Sequence, residues 1–175
     1  MEYRWIEKEE VSRNLFREFR RYQNVTRCLR KVEGKWLVKD ITFVDDWDEK
    51  ELEELVEQLK DILADGGMVY GAWEGNLLKG FVAVAAGLFG SKMNYIDLVH
   101  IYVSEELRGR GTGTRLFEEA KTWARLQGAE KLYISAHSAV ESQGFYKKRG
   151  CVEAEEYHAE HVEKEPCDCQ LEYVL

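Results

Sequence analysis

The sequence predicts an α/β (α+β) fold in which helices flank a central, mixed β-sheet. Two observations lead to this prediction. Segments typical of β-strands alternate with amphipathic helical segments along the 175 residues. In addition, residues 97–116 (DLVHIYVSEELRGRGTGTRL) pass from a strand-like run through a glycine cluster into a helical pattern. The length suits one hydrophobic core, so we expect a single domain over residues 1–175.

The N-terminal third contains a weak strand signal, a helix signal and a hairpin signal. Residues 1–7 alternate as in a strand, and Ser12 is placed to cap a helix with an apolar face over residues 15–19. Two β-rich runs within residues 25–41 flank Glu33-Gly34. Because glycine adopts positive φ at no steric cost, this pattern predicts a β-hairpin.

The central region is easier to interpret. Asp48 and Glu51 form a capping-box pair at the start of a helix that Gly66-Gly67 ends. Strands are predicted at 68–73 and 77–88, joined by a tight turn. The remaining predicted elements are a strand at 94–103, a helix ending at Gly128, a strand at 131–136, a helix at 140–149, and an antiparallel pair formed by 151–157 and 169–174.

Composition limits the classes of function. The formal net charge is -8, from 25 basic and 33 acidic side chains, which disfavours nucleic-acid binding and favours a cationic partner or substrate. No apolar run approaches the roughly 20 residues that a membrane helix needs. We therefore expect a cytoplasmic protein without a membrane partner. The four cysteines are too few and too unevenly spaced for a disulfide framework, so reduced thiols are expected.

Gly109, Gly111 and Gly113 follow a strand and open a helix. Such a turn exposes unpaired backbone N–H groups at the positive end of the helix dipole, which predicts an anion-binding site. A P-loop is excluded because no Lys-Ser or Lys-Thr closes the pattern and Arg115 stands there instead. A dinucleotide-binding fingerprint is excluded because Leu116 occupies the position of its third small residue.

The same turn resembles a motif of the GNAT superfamily of N-acyltransferases. Residues 108–113 (RGRGTG) match the R-x-x-G-x-G pattern of that family, and Val103 ends the preceding strand as in the family. Glu105 departs from the pattern, since proline is frequent at its position. A second match is the segment 145–151 (FYKKRGC), which resembles the family's F/L-Y-x-x-x-G-F segment, with Cys151 in place of the final Phe.

The resemblance implies acetyl-CoA as co-substrate and a mostly antiparallel sheet with a splay between the strands at 95–103 and 131–136. It implies that the pantetheine arm enters this splay and contacts the strand at Ile101, Tyr102 and Val103. The pyrophosphate would bind the turn, whose residues are Arg108, Gly109, Arg110, Gly111, Thr112, Gly113 and Thr114. An Asn that often begins the later helix is absent, because Ala139 stands near its place.

Two proton-transfer roles follow from the chemistry. The resemblance assigns Tyr146 as the general acid that protonates the leaving thiolate, and a phenol is a suitable donor. An acceptor ammonium must lose a proton before it can attack, and Asp97 is our first choice for the base. Strict alternation along the strand would put His100 on the opposite face from Asp97. His137, Ser138 and water remain alternatives near the cleft.

The C-terminal segment raises two further questions. His158, His161, Cys167 and Cys169 suggest zinc, but the C-x-C spacing is tight, and we expect no metal site. Acidic residues crowd 153–168 and also occur at 40–48. They could form an acidic rim for a cationic acceptor, although solvated charge is the commoner reason for such runs.

The sequence thus predicts an N-acetyltransferase that transfers acetyl directly from acetyl-CoA to a primary amine of a small molecule. A cationic metabolite or an aminoglycoside-like or streptothricin-like antibiotic would fit as the acceptor. A protein N-terminal acetyltransferase and a catalytically silent acyl-CoA-binding module are the alternatives. A homodimer is implied by the family resemblance alone.

Overall fold

The computed structural model describes all residues from Met1 to Leu175. Seven strands form one sheet in the order β1-β4-β5-β6-β7-β9-β8, and β2 pairs with β3 in a separate antiparallel ribbon. The strands are β1 (Glu2–Trp5), β2 (Gln23–Val32), β3 (Lys35–Asp45), β4 (Met68–Glu74), β5 (Leu77–Val84), β6 (Tyr95–Val103), β7 (Lys131–Ala136), β8 (Val152–Glu153) and β9 (Cys169–Val174). The helices are α1 (Glu49–Ala64), α2 (Thr112–Leu126), α3 (Val140–Lys147) and α4 (Ala159–Lys164).

The sheet is antiparallel except where β6 meets β7. That parallel pairing begins at Tyr95 and Lys131 and stops at Asp97 and Tyr133. Beyond this point β6 continues to Val103 without a partner on its β7 side, while β7 remains paired with β9. The predicted mixed, mostly antiparallel sheet with a splay between these two strands is therefore confirmed.

Strand β6 contains a bulge that sequence alternation did not predict. Leu98 pairs with Val84 and His100 with Ala83, so Val99 is an extra residue in the β6 strand. The bulge shifts the alternation, and Asp97 and His100 consequently lie on the same face of the sheet. Their contacts agree, since Asp97 bonds to α4 and His100 to α1, and both helices lie on that face. The expectation that the two residues lie on opposite faces of the strand was therefore wrong.

Apolar residues cover both faces of the sheet. On one face α2 packs through Leu116, Phe117 and Ala120 against strand residues such as Ile96 and Leu132. On the other face α1 packs through its buried stripe together with the N-terminal segment. The stripe of α1 consists of Leu55, Val56, Leu59 and Ile62, at helical spacing. Two helical layers thus hold the sheet, and none of the helices is long and apolar enough to cross a membrane.

Local signals in the sequence correspond to the elements they predicted. Asp48 caps α1: its Oδ1 accepts the Glu51 N–H at 2.8 Å, and Glu51 Oε2 accepts the Asp48 N–H at 2.9 Å. Glu33 and Gly34 turn the ribbon with φ of 51° and 77°. Two positive φ values in a two-residue loop match the right-handed twist of a hairpin.

Three predicted elements were wrong in extent. The helix expected after Ser12 is only a single 3-10 turn, at Arg13–Phe16, because tertiary contacts with the aromatic cluster around Phe81 set the path of this segment. Strand β5 ends at Val84 rather than at residue 88, ahead of Gly87 with φ 91°. The final antiparallel pair exists, but β8 has two residues, and the unpredicted helix α4 lies between the strands.

A hydrogen bond to the buried hydroxyl of Ser104 joins the N-terminal segment to the end of β6. Ser104, fully buried, accepts the Arg20 N–H at 2.9 Å and donates to Glu106 at 2.7 Å. Glu106 also pairs with Lys79 at 2.7 Å. Burial would raise the pKa of Glu106, but the hydrogen bonds from Lys79 and Ser104 outweigh it and lower the pKa to about 2. Glu106 is therefore ionised at neutral pH and holds the start of the glycine turn in place.

Candidate active site

A cleft of about 1040 Å³ runs along the unpaired part of β6. At one end it is lined by Gly109, Gly113 and Phe145, and at the other by Asp45 of the ribbon and His161 of α4. Strand β6 contributes residues 98–103 to its wall. The splay therefore opens one continuous space that reaches from the glycine turn to the acidic C-terminal segment.

The glycine turn presents unpaired donors to this space. Gly109 and Gly111 have φ of 75° and 86°, and a Cβ at either would have nothing within 4 Å. The amide N–H groups of residues 109–114 make no hydrogen bond within the chain, and the first bond of α2 joins the Arg115 N–H to the Gly111 carbonyl. Consecutive free amides at the positive end of a helix dipole form an anion site suited to phosphate.

The open edge of β6 offers backbone groups to an extended ligand. The Ser104 N–H donates to the Lys79 carbonyl at 2.8 Å on the β5 side of the strand. Backbone groups alternate between the two edges of a strand, so those of Ile101 and Val103 point into the splay. Tyr102 turns its backbone toward β5, and its ring lies below the Arg21 guanidinium at 4.8 Å. Of residues 101–103, the two outer ones thus have the geometry expected for a bound arm.

Arg108 has partners that sequence reasoning did not foresee. Its guanidinium donates to the carbonyls of Val103, Tyr22 and Arg21 at 3.0, 2.7 and 2.7 Å, and its own N–H donates to the Glu105 carbonyl. Burial and the nearby Arg21 lower its pKa. The side chain therefore ties the turn to the N-terminal segment. Arg110, which is exposed, is left as the second positive charge of the turn.

Arg149 belongs to this region but was not among the predicted site residues. It donates to the Phe145 carbonyl at 2.6 Å and to the Thr114 hydroxyl, and its guanidinium lies 3.5 Å from the Phe145 ring centroid. It thereby links α3 to the first turn of α2. The motif spacing placed Arg149 only at the end of a helix, so the contact depends on how the two helices pack.

Tyr146 lies on α3 and is 8% exposed, with its ring in the wall of the cleft. Its hydroxyl makes no hydrogen bond to another residue of the chain. Burial raises its pKa far above the ordinary value for a tyrosine. The phenol is therefore fully protonated at neutral pH, which a proton donor requires.

Asp97 does not line the cleft itself. Its Oδ2 lies 2.6 Å from Nε2 of His161, and its Oδ1 is buried without a partner. His161 does line the cleft, and its ring stacks on Tyr133 with a centroid distance of 5.8 Å. The sequence placed His161 only in a doubtful zinc cluster, because nothing in the local pattern indicates that α4 folds over the end of β6.

The other two histidines of the cleft are less available as bases. His100 Nε2 lies 2.9 Å from Oε1 of Gln58, and burial lowers its pKa to about 4. His137 Nδ1 accepts the Ala139 N–H at 3.1 Å, and its Nε2 lies 3.3 Å from Asp45. Ser138 is buried, and its hydroxyl accepts a bond from Arg30, so it does not face the cleft.

Carboxylates surround the end of the cleft opposite the glycine turn. Asp45, Glu165 and Asp168 belong to the predicted acidic segments, whereas Glu51 and Glu54 come from α1 and were not predicted. Burial raises the pKa of Asp168, an effect that the Ser135 hydroxyl at 2.9 Å partly opposes. Other acids of the segment bind surface residues instead, as Glu153 does Lys31 and Glu156 does Ser91.

The four residues considered for zinc do not meet in one site. Cys167 is exposed, Cys169 is buried in β9, and all four cysteines of the chain are free. His158 packs edge-on against Phe89. No group of three or more His, Cys, Asp or Glu side chains has the geometry to hold a metal ion.

Sequence comparison identifies one family. The family model described as "Acetyltransferase (GNAT) family" matches residues 10–151. This range contains the glycine turn, the splayed strand and Tyr146, and ends before α4. No curated protein matches the chain significantly over its sequence.

Three solved structures resemble the fold. A Bacillus anthracis protein assigned as a streptothricin acetyltransferase, in complex with acetyl coenzyme A, has a TM-score of 0.71 at 19% identity, covering 99% of this chain and 96% of that one. A nourseothricin acetyltransferase has a TM-score of 0.70 at 15% identity, covering 99% and 97%. A PaiA N-acetyltransferase of Thermoplasma acidophilum in complex with coenzyme A has a TM-score of 0.55 at 17% identity, covering 74% and 80%.

Gly113 and Gly144 allow a matched test of how α2 and α3 fit together. Neither has a positive φ, but a Cβ at Gly113 would lie 2.9 Å from Cε2 of Phe145, whereas one at Gly144 would meet nothing within 4 Å. We expect Gly113→Ala to lower the free energy of unfolding by about 1–3 kcal/mol through overpacking. Gly144→Ala should raise it by up to about 1 kcal/mol, since alanine favours the helix. Urea unfolding of both variants checks this, and equal effects would contradict the packing argument.

Proposed function

The chain belongs to the GNAT family of acetyltransferases and uses acetyl-CoA, and we propose that it acetylates a primary amine of a cationic small molecule. The observation that carries the proposal is the chemistry of the cleft end away from the glycine turn. Five carboxylates line it: Asp45, Glu51, Glu54, Glu165 and Asp168. Arg21, which is ion-paired with Asp45 at 2.5 Å, and Lys164 also line this region, so the acids outnumber these two cations. Such an end attracts a cation and repels an anionic acceptor.

A second consideration favours a small acceptor over a protein chain. The ribbon is held against the start of α3, where the Leu29 N–H donates to the Ser138 carbonyl at 2.8 Å, and its residues Phe43 and Asp45 wall the acceptor end. Of three solved structures that align with 99% of this chain, ribbon included, the two with TM-scores of 0.71 and 0.70 are named for streptothricin and nourseothricin, and the third, at 0.58, is named as an IAA acetyltransferase from Bacillus cereus. By analogy of fold with the first two, we propose an acceptor of comparable size and charge.

Acetyl-CoA supplies the acetyl thioester that the amine attacks. We propose that the free amides of residues 109–114, with Arg110, bind its pyrophosphate, and that the open edge of β6 at Ile101 and Val103 binds its pantetheine arm. The first contact uses consecutive donors already aimed at one point, so binding requires little reorganisation. The second adds an extended segment to the open strand edge, which is favourable because the backbone groups of Ile101 and the Val103 N–H need partners, the Val103 carbonyl being already bonded to Arg108.

Tyr146 is proposed as the general acid. It lies in the wall of the same cleft as the open strand edge, its hydroxyl has no other partner, and burial keeps it protonated. The raised pKa keeps the proton on Tyr146 until negative charge develops on the departing sulfur, which is the base that then receives it.

The substrate proposal is tested with a panel of acceptors. Wild-type protein is incubated with acetyl-CoA and either polyamines, aminoglycosides, streptothricin, amino acids or peptides with free N-termini, and thiol release is measured. We expect the highest kcat/KM for small acceptors with two or more amino groups, and a KM that rises with ionic strength as the charges are screened. Turnover confined to peptide N-termini would contradict the proposal and favour protein acetylation.

The phosphate site is tested by placing a negative charge in it. Gly111→Glu should weaken CoA binding at least about tenfold, because a carboxylate would then oppose the pyrophosphate at the helix N-terminus. Gly128→Glu is the matched control: it has φ of 82° and nothing within 4 Å, like Gly111, but lies at the opposite end of α2. Calorimetric titration with CoA compares the two, and equal affinities would refute the assignment.

The general-acid role is tested by removing one hydroxyl. Tyr146→Phe should lower kcat by about 10²-fold while CoA affinity stays unchanged, since the ring is retained and only the proton is lost. Tyr70→Phe serves as the control, because Tyr70 is a partly buried tyrosine of β4 that packs on Trp5 away from the cleft. If Tyr146→Phe keeps the wild-type kcat across the pH range, another group protonates the thiolate.

A further inference from the structure

We propose that His161 accepts the proton of the acceptor amine and that Asp97 is its positioning residue. The inference rests on the proposed function, since it concerns how that amine is made nucleophilic. It replaces our sequence expectation that Asp97 does this itself. The two residues are 64 positions apart in the chain and meet only because α4 folds over the point where β6 leaves β7.

The hydrogen bond between them fixes which ring nitrogen is basic. An ionised carboxylate can only accept, so the contact of 2.6 Å between Asp97 Oδ2 and His161 Nε2 requires the proton on Nε2. The neutral imidazole then carries its lone pair on Nδ1. That atom makes no hydrogen bond within the chain and is not sealed from solvent, and the side chain is 23% exposed. Nδ1 is thus free to take a proton from the cleft.

Asp97 is held where it can orient the ring but not reach the amine. Its side chain is 16% exposed, and its second oxygen is buried without a partner. The imidazole is further confined by Tyr133, whose ring lies at 12° to it. The arrangement of carboxylate, imidazole and open nitrogen is the one by which a histidine is kept in a single tautomer for general-base work.

The surroundings of His161 set the direction of its titration. The hydrogen bond to Asp97 raises its pKa, with burial acting the opposite way. Its neighbours are Asp97 and His100 from β6, Tyr133 from β7, His158 directly before α4, Lys164 from α4, and Asp168 before β9. The two carboxylates favour the imidazolium, and Lys164 disfavours it. His161 is therefore a stronger base than a free histidine and loses that strength if Asp97 is neutralised.

The proton balance closes with the residues already described. The bound ammonium gives one proton to His161 Nδ1, and its lone pair then forms the C–N bond as the C–S bond breaks. Tyr146 gives its proton to the thiolate and recovers one from the amide nitrogen through water. The imidazolium releases its proton to solvent, so one proton leaves per acetyl transferred.

The test compares His161→Gln and Asp97→Asn with wild-type protein on one acceptor from the panel. We expect His161→Gln to lower kcat by about 10²-fold or more and to abolish the rise of kcat with pH that reports this base. Asp97→Asn should lower kcat less and move that rise to lower pH, because the pKa of His161 falls. In His161→Ala, added imidazole should restore part of the activity.

A measurement without substrates separates positioning from a merely structural role. In the full-length free protein, the His161 ring resonance, identified by its loss in His161→Gln, is titrated by NMR. We expect its pKa above that of a free histidine in wild type and clearly lower in Asp97→Asn. CoA affinity should be unchanged in every variant, which shows that the variants are folded.

His100→Gln and His137→Gln test whether another histidine is the base, since both residues also line the cleft. Wild-type kcat and pH profile in His161→Gln, or loss of the pH-dependent rise in His137→Gln instead, would overturn the assignment of the base. An unchanged His161 titration in Asp97→Asn would overturn the positioning role. If the wild-type protein acetylates no amine of the panel, the proposed function is refuted. If the wild-type protein does acetylate an amine but the variants give the contradicting results just named, only the roles of His161 and Asp97 are refuted.

Discussion

The termination of the parallel pairing between β6 and β7 after Asp97 is the constraint on which the rest of the structure depends. A strand buried in the middle of a sheet ordinarily satisfies its backbone groups on both edges. Here β6 continues as far as Val103 with one edge unpaired, and the cleft exists because nothing in the chain fills that gap. The glycine turn and α2 follow directly from the open strand, so the free amides of the turn and the free edge face the same space.

The bulge at Val99 determines which residues of β6 face each part of the cleft. Beyond it, Ile101 and Val103 turn their backbone groups into the splay, where a bound arm is proposed. On either side of it, Asp97 and His100 project from one face toward α4 and α1. Without the extra residue these two side chains would lie on opposite faces. The inserted residue thus directs both side chains to the face that α1 and α4 cover, while the strand edge beyond it stays open to the splay.

Sequence patterns predicted the parts of the fold that are encoded locally. The capping box at Asp48 and Glu51, the positive-φ Gly34 of the hairpin, and the strand at 131–136 each depend on neighbouring residues, and each was found where predicted. Features decided by distant contacts were missed or wrong. The path of the segment after Ser12 is set by the aromatic cluster on which it packs. Arg108 donates hydrogen bonds to the carbonyls of residues 21 and 22, which are distant in the sequence. Helix α4 has no apolar periodicity from which it could be predicted.

The same distinction between local patterns and distant contacts explains why the sequence did not predict the acceptor end of the cleft. Its residues come from the ribbon, α1, β6 and α4, which are separated widely in the chain and share no motif. What joins them is charge: carboxylates are more numerous at one end of the cleft, while the other end presents unpaired amide N–H groups and a helix dipole. An excess of carboxylates favours a cationic ligand, and free amides favour an anionic one. Under the proposed function, the anionic co-substrate and the cationic acceptor therefore bind at opposite ends, and their reacting groups meet beside Tyr146 and β6.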